Sequence, residues 1–135
     1  MKLYRPVGVH ELRLIAQSGW TAFPPRLAGQ PIFYPVLDEH YAVQIARDWN
    51  RSDEPSGFAG FVLAFDVDDA FVARYAVQVV GGAQHRELWV PAEELDAFNR
   101  HLTAPIEVRS SYYGERFVGE VDAASGLPID VVAPQ

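Results

Sequence analysis

The chain has 135 residues, no cysteine and a formal charge of −7, from 11 Lys and Arg against 18 Asp and Glu. That length suits one domain, and with 49% hydrophobic and 13% aromatic residues the chain can bury a substantial core. Without cysteine neither a disulfide framework nor a thiolate zinc site is available, and without a basic cluster duplex nucleic acid is a poor partner.

Lys2 to Arg5 reads as a first strand, and Val9 to Ser18 as a helix with Val9, Leu12, Ile15 and Ala16 on one face, stopped by Gly19. Trp20 to Phe23 is extended, and Pro24 to Pro31, with three prolines and a glycine, is an irregular loop of defined shape. Ile32 to Tyr34 is a strand closed by Pro35, after which Asp38 opens a helix to about Trp49 with Tyr41, Ala42, Ile45, Ala46 and Trp49 expected to face inward.

A polar run, Asn50 to Ser56, leads into Gly57 to Val67, which is apolar on both alternating faces and is expected to be the central strand. Asp68 to Arg74 gives one or two helical turns capped by Asp68, Tyr75 to Val80 a strand, and Gly81-Gly82 a turn. In the strand that follows, Leu88 and Val90 face one side while Glu87 and Trp89 face the other.

A carboxylate in such a strand either discourages edge pairing or needs a partner or a ligand. Pro91 then fits the first position of a helix to about His101, with Glu93 and Glu94 in the turn where the helix dipole favours acids. Ile106 to Ser110 and Arg116 to Val121 are extended, and the remainder reads as a tail.

The expected fold is therefore α+β: a bent or split, mainly antiparallel sheet with short flanking helices, in one domain of residues 1–121 with a C-terminal tail of residues 122–135. No secretory h-region or long apolar run appears, so a cytoplasmic protein without membrane contact is expected.

His10, His40, His85 and His101 are scattered without metal-ligand spacing, and Asp66, Asp68 and Asp69 lack the remaining ligands of a calcium loop. No dinucleotide-binding glycine motif, Walker lysine or nucleophile elbow is present. What remains is an ordered series: Leu3-Tyr4-Arg5, then Ile32-Phe33-Tyr34 before the helix Tyr41-Ala42-x-x-Ile45-Ala46, then Glu87-Leu88-Trp89-Val90-Pro91.

That series, across residues 2–100, resembles the ADP-ribosyltransferase fold, whose members carry an Arg or His, an aromatic or Ser, and a Glu in this order. The chain is also similar to short bacterial proteins labelled ADP-ribosylation/crystallin-like, which share Tyr4-Arg5-Pro6-Val7-Gly8, Phe23-Pro24-Pro25-Arg26 and Glu87-Leu88-Trp89-Val90-Pro91. The resemblance implies NAD as a substrate, cleaved or transferred to an unknown acceptor. Arg5 is then similar to the residue that holds NAD, Tyr34 or Tyr41 to the aromatic against nicotinamide, and Glu87 to the catalytic acid at the nicotinamide ribose.

A fixed carboxylate there would stabilise the oxocarbenium character that develops as the glycosidic bond breaks. Arg26 and Gln30, on the proline-stiffened loop, would border the same cleft. His85 stands where arginine-modifying members carry Gln or Glu.

Two other readings compete. One is a catalytically silent binding protein, such as an immunity, antitoxin or regulatory partner, whose acidity and exposed aromatics serve a protein interface. The other is an RNA phosphate-transfer enzyme, for which only Arg5 and Arg26 are candidate phosphate ligands. One geometric test separates enzyme from binding module: in an enzyme Arg5, Tyr41 and Glu87 must converge on one concave surface.

Overall fold

Every residue of Ala59–Asp66 except Asp66 is buried, as the two-sided apolar pattern requires, and this strand, β3, lies at the centre of a three-stranded sheet. The structure is a computed structural model that describes residues 1–132. β1 (Lys2–Val7) pairs antiparallel with one edge of β3, from Lys2 opposite Asp66 to Val7 opposite Phe61. β7 (Glu107–Tyr113) pairs antiparallel with the other edge, with a register shift between Val62 and Leu63.

Alternation along β3 serves two different cores. Phe61, Leu63 and Phe65 join Leu3 and Val7 of β1, Phe33, Phe98, and Val9, Leu12 and Ile15 of α1 (Val9–Gln17). Val62 turns the other way, against Val36 and against Ala42 and Ala46 of α2 (Glu39–Asp48). Gly60 permits this second contact, because a Cβ there would lie 2.4 Å from the Ala46 carbonyl oxygen.

The sheet continues beyond β1 through one residue. Val36 exchanges two backbone hydrogen bonds with Tyr4, at 2.8 and 2.9 Å, and bridges Glu87 on its other side. Glu87 belongs to β5 (Arg86–Leu88), which pairs with the outermost strand β4 (Val77–Val79). Pro35 was expected to end pairing, yet it only lacks an N–H: its carbonyl accepts from Leu88 N at 2.9 Å and the chain pairs through it.

Separately, β2 (Ile32–Phe33) pairs with β6 (Val90–Pro91). Pro91 therefore closes a strand, with ψ 141°, where the first residue of a helix was expected. A 3₁₀ turn, Ala92–Glu94, follows before the helix Leu95–Arg100, which buries Leu95 and Phe98. The short helix α3 (Asp69–Val72) is capped as expected, the Asp68 carboxylate accepting from Phe71 N at 3.0 Å.

Three expectations at the chain's turns and C-terminal end change. Trp20 takes φ 64° directly after Gly19 at φ 76°, so the chain turns back there where an extended segment was expected. Arg116 to Val121 forms turns and bends in which only Val121 makes a bridge, to Pro128. Residues 122–132 pack on the domain: Val131 is buried, Asp130 pairs with Arg13, and Gly126 O accepts from Tyr113 Oη at 2.7 Å. The domain thus extends past residue 121, and of the expected tail only residues 133–135 lie outside the described residues. No described helix is long and apolar enough to cross a membrane.

Candidate functional site

Tyr4, Val36 and Glu87 stand opposite one another on adjacent antiparallel strands, so their side chains share the α2 face of the sheet. Arg5 is the next residue of β1 and points to the other face, beside Leu63. Strand alternation thus separates the two groups expected to form one site.

On the α2 face Glu87 is 9% exposed. Its Oε1 accepts from Trp89 Nε1 at 2.8 Å, and its Oε2 accepts a longer bond from Tyr41 Oη at 3.5 Å. The Tyr41 ring in turn stacks on His85, with centroids 4.4 Å apart and planes inclined by 11°. Burial, and then the adjacent Glu87 carboxylate, hold the Tyr41 hydroxyl above its usual pKa. The expected partner of the strand carboxylate is therefore the indole two residues on, with a tyrosine from α2.

On the opposite face Gly8 joins β1 to α1 so tightly that the first-turn acid Glu11 folds back over the strand. Arg5 donates to it twice, Nε to Oε2 at 2.7 Å and Nη2 to Oε1 at 2.9 Å. A third, longer bond of 3.4 Å runs from Nη1 to Tyr34 O, and the guanidinium sits 4.6 Å from the centre of the Phe33 ring. Arg5 is thus largely consumed by its own domain.

Beside this pair lies an open cavity of about 300 Å³ whose wall includes Arg5, Glu11, Arg26, Leu27, Gln30 and Trp49. Arg26 Nε donates to Ile32 O at 3.1 Å, and among the described residues Arg26 forms no ion pair. Burial, and then the neighbouring Arg5 charge, lower its pKa from the ordinary arginine value. Tyr34 lies nearby and is 40% exposed.

The candidate residues therefore divide. Tyr41 and Glu87 meet on one face; Arg5, Arg26 and Tyr34 gather on the other, and the convergence required of a single NAD cleft is absent. The expectation that all five line one site is corrected by the register of β1, Val36 and β5.

Glu11, His85, Trp49 and the role of Trp89 were not singled out as site residues. Glu11 was the most accessible of these, because an acid in the first turn after a strand ending in Gly is well placed to return to that strand. Among the described residues no group of three His, Asp or Glu side chains is placed to hold a metal ion. Comparison with known protein families, with characterised proteins and with solved structures found no match, so the functional reading rests on these residues.

Proposed function

We propose that this α+β protein is a catalytically silent binding module, a regulatory, immunity or antitoxin-like partner, and not an enzyme that cleaves NAD. The observation that carries this reading is that Arg5 and Glu87 lie on opposite faces of the sheet. NAD cleavage by the expected residues needs a carboxylate at the ribose and a cation at the other end of the same molecule, in one cleft. Glu87 instead spends its oxygens on Trp89 and Tyr41, and Arg5 spends its guanidinium on Glu11.

The outermost strand supports a protein interface. β4 is hydrogen-bonded to β5 alone among the described strands, and it exposes Val77 and Val79, the latter by 61%. Soluble proteins ordinarily protect such an edge with charges, bulges or prolines. An extended segment of a partner adding as a further strand would satisfy the open backbone groups and cover both valines. The net charge of −7 favours a partner segment with basic flanks.

The test is capture from the source cells by tagged protein and by its Val79→Lys and Val77→Lys variants, with crosslinking before lysis. A partner held by the parent and lost with both variants, while their circular dichroism is unchanged, is the expected result. Equal capture by all three would move the interface elsewhere.

A further inference from the structure

We propose that the cavity beside Arg26 is a binding site for a small monocarboxylate with an apolar body. Arg26 supplies the recognition element. Of the five N–H groups of its guanidinium only Nε–H has an acceptor among the described residues, Ile32 O, which leaves the paired terminal N–H groups that a carboxylate takes in bidentate fashion.

The nearby acids do not serve this cation. Glu11 is held by two bonds from Arg5, and the Asp53 carboxylate accepts from Ser56 N at 3.0 Å and from Ser56 Oγ at 2.6 Å. Arg5 and Glu11 act on Arg26 in opposite senses, and Arg26 keeps its own positive charge. A half-buried cation without a counter-ion among the described residues is the converse of the usual arrangement, in which buried charges are paired.

The rest of the wall sets the other half of the ligand. Leu14, Pro24, Pro25, Leu27, Pro55 and Trp49 give the cavity an apolar side, and the three prolines fix its shape before any ligand enters. A volume of about 300 Å³ stands at the lower end of ligand pockets, which suits a single ring or short chain and excludes a dinucleotide. The overall charge of −7 further disfavours multiply charged anions. This site is independent of the β4 edge, so its failure would leave the interface reading standing.

Nuclear magnetic resonance of the full, ¹⁵N-labelled chain tests the proposal, using benzoate, benzyl alcohol and inorganic phosphate as separate probes. Benzoate is expected to shift the Arg26 Nε–H and Trp49 indole signals saturably. Arg26→Gln should weaken that binding about tenfold or more, the loss expected for a charge-assisted hydrogen-bonded pair. Glu87→Gln, on the other face, should leave it unchanged. Benzyl alcohol and phosphate should each bind more weakly than benzoate by a similar factor, since each lacks one half of the recognition.

No saturable shift with benzoate would overturn the site, and unchanged binding in a well-dispersed Arg26→Gln spectrum would overturn Arg26 as its anchor. Phosphate binding as tight as benzoate would overturn the apolar component. Should Arg26→Gln fail to fold, Arg26→Lys, which keeps the charge without the fork, must show intermediate affinity.

Discussion

A guanidinium that gives two hydrogen bonds to one carboxylate is fixed in a plane, and Arg5 is held this way by Glu11 while its flat face lies on Phe33. Removing the acid leaves a nearly buried cation unpaired, whereas the pair itself is only a modest net gain. Glu11→Gln should therefore lower stability by about 2–3 kcal/mol, a value reduced from the fully buried case because Glu11 is partly exposed. Urea unfolding followed by tryptophan fluorescence measures this, and a loss under about 0.5 kcal/mol would contradict the role of the pair. Three tyrosines give a second prediction. Burial pushes the Tyr113 hydroxyl up to about 12, and burial, then donation to Glu94 at 2.6 Å, raises that of Tyr75; Tyr41 shifts the same way. Unfolded tyrosine ionises near pH 10. Above that pH the unfolded chain holds fewer protons than the folded one, so stability falls as pH rises. The contribution of Tyr113 is whole below pH 10 and is lost progressively toward pH 12. Urea midpoints at pH 9 and pH 11 should differ accordingly, and tyrosinate absorbance of the folded protein at pH 11 should remain short of all six tyrosines.

Among the elements, α2 depends on a glycine it does not contain. Its Ala46 carbonyl occupies the space in which a residue larger than Gly60 would place a Cβ, so Gly60→Ala must push helix and sheet apart. The expected loss is about 1–3 kcal/mol, read from the thermal midpoint, and an unchanged midpoint would contradict the close packing. Much at this scale was legible in sequence. The apolar run of β3, the helical stripe of α2 as far as Ala46, the Asp68 cap and the Gly19 stop carry their signals locally, whereas Trp49, expected on that stripe, is 59% exposed just past the helix end. Val36 was not legible, because a one-residue bridge following a proline has no period to read. Nor was the extended state of Pro91, decided by pairing with Ile32, a partner 59 residues earlier. The same limit applied to the site. That Glu87 and Trp89 share a face followed from alternation, and their 2.8 Å contact agrees. Whether Arg5 shares that face depends on the register of β1 against Val36, which no local pattern encodes.

For the whole molecule, one sheet separates two polar clusters. The Glu87 cluster is closed upon itself by Trp89, Tyr41 and His85, whereas the Arg26 cluster borders an open cavity, and β4 presents an uncovered apolar edge. The Glu87 carboxylate fixes neighbouring aromatic groups, which is the arrangement on which the proposed binding role rests. Because Val79 is exposed, Val79→Lys should reduce aggregation at high concentration, measured by light scattering, while changing the unfolding free energy in urea by no more than about 0.5 kcal/mol. The claim that the module is catalytically silent is tested most directly by nicotinamide release from NAD, followed by mass spectrometry over a long incubation of the parent protein and Glu87→Gln. Neither protein should release more nicotinamide than buffer alone. Release by the parent that disappears in Glu87→Gln would contradict it and establish Glu87 as a catalytic acid.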